Sequence, residues 1–384
     1  MSVAQACCRQ AAASGHAATL LLALEPRGTH ADEFGGFQLQ SLDSQPPHND
    51  IPARLVQWLE KNPQDVVLLN SCEQADSAIP YIPASTHLVC VVHDTAERYF
   101  GAVVDYEDQV DAILAVSQTV ADRFRDRLRD PSKLHVVLNG TVLPDEVVPQ
   151  PSADRGDDLV FLGGDKPLKG AFDCLALWAE LQKYGFGGKL HWFGELDPAF
   201  RARIARSPSC ERIETYGRRP RLDIFRIAAQ SKIFLMLSRV EPFGMATIEC
   251  MGMGCLSVAW DIPTGTKEIV TDGGGSFAPL GNFDAMARNV MRLLAEHASR
   301  FEASSSRIRV EFSEEAMWSR YDKVLWQVVA SATATRRFVG QEPPPYRPPF
   351  RIFQRLPKGV RSAVRALVGR WPRIGFALRD FRGR

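Results

Sequence analysis

The sequence has no Cys-x-x-Cys pair and no group of His and Cys at ligand spacing. Its eight cysteines are scattered; Cys7 and Cys8 are adjacent, and Cys250 and Cys255 flank small residues. This excludes a zinc finger or ribbon and a disulfide framework, and it fits reduced cytosolic thiols. The opening residues lack a cationic leader. The run "ATLLLAL" is short and is followed by Glu25, so it reads as a buried strand and not as a signal peptide. No apolar run approaches bilayer-spanning length. No short repeat is present. The chain also lacks an overall excess of charge, with 46 Lys and Arg against 45 Asp and Glu. These features predict a cytoplasmic globular protein, large enough at 384 residues for two or three domains.

The charge balance hides an asymmetry. From Arg336 to Arg384 there are thirteen Arg and Lys against two acids, Glu342 and Asp380. Within it a Pro-rich link, "EPPPYRPPF", leads to "PKGVRSAVRALVGRWP". There Val360, Val364, Leu367, Val368 and Trp371 share one helical face flanked by Arg361, Arg365 and Arg370. That is the pattern of an interfacial helix, and it predicts a peripheral contact with the anionic inner face of a membrane through residues 340–384.

Strand-like runs alternate with helix-like stretches along the rest. "ATLLLAL", "DVVLLN", "HLVCVVHD", "AILAVS" and "LHVVLNG" are separated by segments such as "DIPARLVQWLEKN" and "TVADRFRDRLRD". The loop "LPDEVVPQPSADRGDD" breaks the pattern, and the alternation restarts with "LVFLGG", "KLHWFG", "RIETYG", "KIFLML" and "LSVAW". Alternation of this kind predicts parallel sheets covered on both faces. The expected domains are residues 1–150 and 157–311, then a late helix over 312–332 packing back across them, then the tail from 340 to 384.

The stretch "VEPFGMATIECMGMGC" (residues 240–255) places two glutamates, Glu241 and Glu249, eight positions apart. It follows the strand "KIFLML", so it lies at a strand's carboxyl end, where ligands sit in such sheets. Gly244 permits a tight entry into a helix, and the small Ala246 lets a ligand approach the backbone. The helix amino terminus offers free N–H groups to an anion. The two carboxylates can accept hydrogen bonds from hydroxyls. A nucleotide-sugar has the matching shape: ribose, diphosphate, sugar.

The longer run "EPFGMATIECMGMGCLSVAWDIPTGTKEIV" resembles the signature of family-4 retaining glycosyltransferases. That signature reads E-x-F-G-x-x-x-x-E, a small-residue helix, and a Gly-containing loop ending in Glu-Ile-Val. Upstream, "VFLGGDKPLKG" is similar to the family's phosphate-clamp loop. The resemblance is strong over about residues 159–330 and looser over 1–150. It implies an α/β protein of two Rossmann-like domains facing across a cleft, the GT-B fold. It implies transfer of a hexose-type sugar, with retention, from a UDP- or GDP-linked donor to a hydroxyl of a glycan or lipid-linked acceptor. No cofactor and no metal are implied, and no nucleic acid.

By the same resemblance Glu241 contacts the transferred sugar, Glu249 holds the ribose, and Lys169 neutralises the leaving diphosphate. Gly163, Gly164, Phe243, Gly244, Met245 and Ala246 line the donor, Arg218 lies in the base-reading loop, and His93 faces the sugar. The clamp's usual Arg position reads Gly164, with Lys166 the nearest cationic substitute, and the first of the usual paired glycines is Thr264. Two other readings of the same residues are a non-catalytic nucleotide-sugar-binding protein and a sugar-nucleotide epimerase. One departure concerns the first domain. Its opening reads as the helix after a missing first strand, so its sheet is expected to lack a central strand, unless another segment such as "HLVCVV" closes the gap.

Overall fold

The computed structural model describes residues 3–23, 36–271 and 273–347. The amphipathic segment Val360–Trp371 lies outside the described residues. The chain divides into two compact units. One holds the residues up to Gly140 together with the described residues from Glu314 onward; the other runs Thr141–Ser313.

The first unit opens with α1 (Val3–Ala13), β1 (Thr19–Leu22), β2 (Gln38–Ser41), α2 (Ile51–Lys61) and β3 (Val66–Asn70). It continues through β4 (His87–Val92), α3 (Gly101–Asp105), β5 (Ala112–Ala115), α4 (Gln118–Ala121) and β6 (Leu134–Val136). The helix-like stretch "TVADRFRDRLRD" is helical for only one turn and then tightens into a 3₁₀ turn at Arg125–Arg127. Val120, Phe124 and Leu128 stay buried along it. The Asp130–Pro131 step that follows disfavours further helix.

The second unit alternates strictly: β7 (Gly156–Leu162), α5 (Ala171–Lys183), β8 (Leu190–Phe193), α6 (Pro198–Ile204), β9 (Ile213–Gly217), α7 (Arg221–Ala228) and β10 (Ser231–Met236). Then come α8 (Met245–Gly252), β11 (Leu256–Trp260), α9 (Thr266–Ile269), β12 (Gly275–Ala278) and α10 (Phe283–Glu311). Finally α11 (Glu314–Val329) belongs to the first unit, where Arg9 pairs with Glu314 and Trp318 Nε1 donates to Ser14 Oγ at 3.0 Å.

The second unit's six strands are all parallel, in the order β9-β8-β7-β10-β11-β12. This is the doubly wound arrangement, with the unit's first strand in the centre. Period-two alternation feeds both faces. Along β10 and its exit, Ile233, Leu235 and Leu237 join one core with Trp178 and Trp192, while Phe234 and Met236 join another with Phe225 and Cys250. Strands buried on both sides explain why these runs read as almost unbroken apolar sequence.

The first unit's sheet is split. β3, β4, β5 and β6 form one parallel sheet, and β1 pairs only with β2. Among the described residues no strand lies between β1 and β3, the place that β7 fills in the second unit. "HLVCVV" does not close the gap, because β4 is committed to β3 and β5. Beyond α11, Phe338 stacks on Tyr81 at 5.1 Å and Tyr346 N donates to Asn49 O at 2.8 Å. Residues 338–346 therefore follow the first unit. Among the described residues no helix is long and apolar enough to cross a membrane.

Candidate active site

β7 and β10 are neighbours at the centre of the second sheet, where the strand order reverses. The crevice outside their carboxyl ends is the default ligand position of such a sheet. Two loops meet there, residues 163–170 after β7 and 237–244 after β10.

Glycines set the first loop. Gly164 has φ +53°, and a Cβ on it would lie 2.7 Å from the Glu195 carbonyl oxygen. Its N–H donates to Phe193 O at 2.9 Å and its carbonyl accepts from Trp192 Nε1 at 3.0 Å. The close approach of two backbones explains why no arginine stands here. Gly163 is buried against Phe161. Lys166 is exposed and makes no ion pair among the described residues. The loop ends in the turn Pro167–Lys169 and in Gly170, which starts α5 at φ +84°.

The second loop is tied to the first. Arg239 N donates to Leu168 O at 2.9 Å. The Arg239 guanidinium forks onto Asp173, in the first turn of α5, at 2.7 and 3.0 Å. This bidentate pair is 17% exposed on the arginine side chain and 6% on the aspartate. Gly265 N donates to the Glu241 carbonyl oxygen at 3.1 Å, and a Cβ on Gly265 would meet Pro242 O at 2.4 Å. The retained glycine of the paired-glycine loop is therefore a backbone contact.

With the loops fixed, Lys169 Nζ donates to Glu241 Oε2 at 2.7 Å. The two residues are 72 positions apart in sequence. Next in the chain, Gly244 at φ +112° begins α8. The N–H groups of Met245 and Ala246 belong to the first turn, where no helical acceptor exists. Thr247 Oγ1 and Thr266 Oγ1 both approach Gly244, are fully buried and have no hydrogen-bond partner among the described residues. Phe243 is 3% exposed and packs on Phe312, so its ring anchors the loop.

One turn on, Glu249 Oε1 accepts from Arg221 Nη2 at 2.7 Å, and that nitrogen also donates to Thr141 Oγ1 at 2.9 Å. Burial pushes the Glu249 carboxyl above the usual carboxylate range, and the Arg221 charge opposes it. Arg218, the expected base-reading cation, is exposed and makes no hydrogen bond or ion pair among the described residues. Sequence reading passed over Arg221, Arg239 and Asp173. All three stand inside or beside the motif segments, as "GRRPR", "SRVEPFG" and "KGAFD", but their partners lie far along the chain.

His93 belongs to the first unit and follows β4. Its Nε2–H donates to Asn70 Oδ1, and its N–H to Ser71 Oγ at 2.9 Å. Burial pushes the imidazole down to about 4, so it is neutral near pH 7. The sign of the linkage follows. A folded value below the unfolded 6.5 means the unfolded chain binds the proton first as pH falls. Stability is full above about pH 6.5 and declines toward pH 4. Urea midpoints at pH 7, 5.5 and 4.5 should fall more steeply for the natural chain than for His93→Gln. Equal slopes would show that the native imidazole takes up its proton at the same pH as in the unfolded chain.

Glycosyltransferase models match both halves of the chain: "Glycosyltransferase Family 4" over residues 2–143 and "Glycosyl transferases group 1" over residues 156–296. The chain belongs to glycosyltransferase family 4. Among curated relatives, the GDP-mannose:cellobiosyl-diphosphopolyprenol alpha-mannosyltransferase of Xanthomonas oryzae pv. oryzae (strain PXO99A) is 24% identical over 216 residues. That match covers 55% of this chain and 54% of the relative. A Xanthomonas campestris protein of the same name is 24% identical over 197 residues, covering 50% and 51%. The chain thus spans about half the length of the curated relatives it matches.

Solved GT-B structures share the fold. Sucrose-phosphate synthase from Thermosynechococcus elongatus superposes with TM-score 0.69 at 15% identity, over 84% of this chain and 92% of that one. Anabaena HepE, solved with UDP and glucose, gives 0.68 at 15%, over 85% and 96%. The family and the fold are those expected from the motifs, two parallel-sheet Rossmann-like units.

Proposed function

We propose that the chain transfers a hexose, with retention, from a nucleoside-diphosphate sugar to a hydroxyl of a glycan or lipid-linked acceptor. The observation that carries this is the Lys169–Glu241 pair at the carboxyl ends of β7 and β10, beside the amino terminus of α8. The Met245 and Ala246 N–H groups and the α8 dipole receive the diphosphate. Lys169 neutralises the charge that grows as the anomeric carbon–oxygen bond to phosphate breaks. Glu241 accepts hydrogen bonds from the sugar and Glu249 from the ribose. The acceptor oxygen forms the new bond on the face that the diphosphate leaves, and its proton passes to the departing phosphate oxygen. Retention follows from that single-face exchange.

The names of the curated relatives favour GDP-mannose as donor and a diphosphopolyprenol-linked glycan as acceptor. A lipid-linked acceptor also suits the basic, amphipathic segment Val360–Trp371 as a membrane contact. A panel of GDP- and UDP-sugars, assayed for donor consumption with and without such acceptors, tests the activity. The anomeric configuration of the product by NMR tests retention; an inverted product refutes the mechanism, and no consumption of any donor refutes the activity.

Nucleotide binding should be confined to the second unit. Adding GDP or UDP should slow amide exchange in residues 163–170 and 241–249. Protection restricted to residues 3–140 would place the donor elsewhere.

A further inference from the structure

Arg221 stands at the first position of α7, directly after Pro220. Its Nη2 lies between two acceptors, Glu249 Oε1 on α8 at 2.7 Å and Thr141 Oγ1 at 2.9 Å. Its surroundings fix it there. The guanidinium carbon lies 5.3 Å from the centre of the Phe225 ring, one turn along α7 and within cation–π range. Phe225 is buried in the core to which α8 contributes Cys250. Thr141 is 6% exposed, and its backbone N donates to Phe312 O at 2.9 Å. At the far ends of the same two helices stands a second arginine. Arg155 donates to Ala228 O, at the end of α7, at 3.2 Å and to Met253 O, just past α8, at 2.8 Å. α7 and α8 are therefore tied at both ends, by one arginine each.

The carboxylate that Arg221 meets has little water around it. Glu249 is 15% exposed, and burial favours its neutral form. A protonated carboxyl carries an O–H of its own and offers fewer lone pairs to a hydroxyl. A cation bonded at 2.7 Å favours the ionised form and fixes which way the carboxylate is turned. Arg221 takes one lone pair of Oε1, while Oε2 accepts no hydrogen bond from the described residues. One oxygen is anchored and the other is open. That arrangement suits two hydroxyls on adjacent carbons, each donating to one oxygen.

We propose that Arg221 is a positioning residue for the donor's ribose: it orients Glu249 and balances its charge, so that both ribose hydroxyls find an acceptor. This rests on the reading of Glu249 as the ribose-binding group. An arginine suits the task better than a lysine. Its planar group lies against Phe225 and aims the two hydrogens of one nitrogen at two fixed acceptors, whereas an ammonium supplies only a point charge on a flexible stem.

Calorimetric titration of the full chain with GDP and UDP, each beside its 2′,3′-dideoxy form, tests this. In the natural chain, losing both ribose hydroxyls should weaken binding by about 10- to 100-fold. Arg221→Gln should weaken the ribonucleotide by a similar factor and leave the dideoxy form bound as before. Arg221→Lys should recover part of the preference. In turnover, the donor KM of Arg221→Gln should rise with kcat little changed, because the ribose is held alike in the ground and transition states. An Arg221→Gln chain that keeps the full preference for ribose overturns the proposal. So do equal losses for both nucleotide forms, which would make Arg221 only a brace between α7 and α8. Should Arg221→Gln melt early, Arg221→Lys decides: a reduced ribose preference with unchanged dideoxy affinity supports the proposal, and an unreduced one overturns it. Glu249→Gln separates the two readings. If it keeps the ribose preference of the natural chain, the assignment of Glu249 fails and the proposal with it; if it loses the preference while Arg221→Gln does not, Arg221 alone is removed.

Discussion

Lys169→Ala and Glu241→Ala should each lower kcat/KM for sugar transfer by about 10²–10³ while leaving the fold intact. The magnitude is that of removing one group that stabilises developing charge in a transition state. Stability should change little for Lys169→Ala, because its side chain is 42% exposed and such a pair contributes at most about 1 kcal/mol. Glu241 is 11% exposed, so its loss should cost somewhat more. Since the two are bonded at 2.7 Å, their effects should not add. The double variant should be less impaired than the product of the single losses. Steady-state kinetics alongside melting curves checks this. A folded single variant that kept turnover within threefold would remove its residue from the chemistry.

Gly170→Ala should destabilise the second unit by about 2–4 kcal/mol and abolish donor binding. The residue sits at φ +84°, where an L side chain costs about 1–2 kcal/mol. A Cβ would also lie 2.2 Å from the Leu237 carbonyl oxygen, at the exit of β10. Relieving that overlap adds about 1–3 kcal/mol, offset by the smaller entropy of an unfolded Ala. The relief must separate the two loops, and so Lys169 from Glu241. Gly185→Ala is the control: φ is +72°, but nothing lies within 4 Å, so only backbone strain is added. Urea unfolding of both variants, with GDP and UDP titrations, measures the difference. Equal losses at 170 and 185 would show that loop contact plays no part.

The motif residues were legible because each is set by short-range geometry. "PLKG" needs a glycine where the turn enters α5, and "EPFG" needs one where the loop enters α8; both have positive φ. Likewise the strand runs of the second unit announce a buried parallel sheet, since both faces of β7, β8 and β10 are covered. Arg218 sits at the expected motif position but is exposed, while Arg221, three residues on, reaches Glu249 and Thr141. Motif position alone does not say which of several neighbouring arginines points inward; the helical phase of α7 does.

The sequence by itself determined the alternation of strands and helices, the family and the turn glycines. All of these rest on residue type and spacing along the chain. Tertiary structure alone decided that Lys169 meets Glu241, that Arg239 forks onto Asp173, and that Arg221 reaches Glu249 and Thr141. It also decided that "HLVCVV" stays between β3 and β5. Each of these is a contact between segments brought together by strand order. Strand order is fixed by which faces the whole sheet must bury, a requirement that no local window of sequence contains.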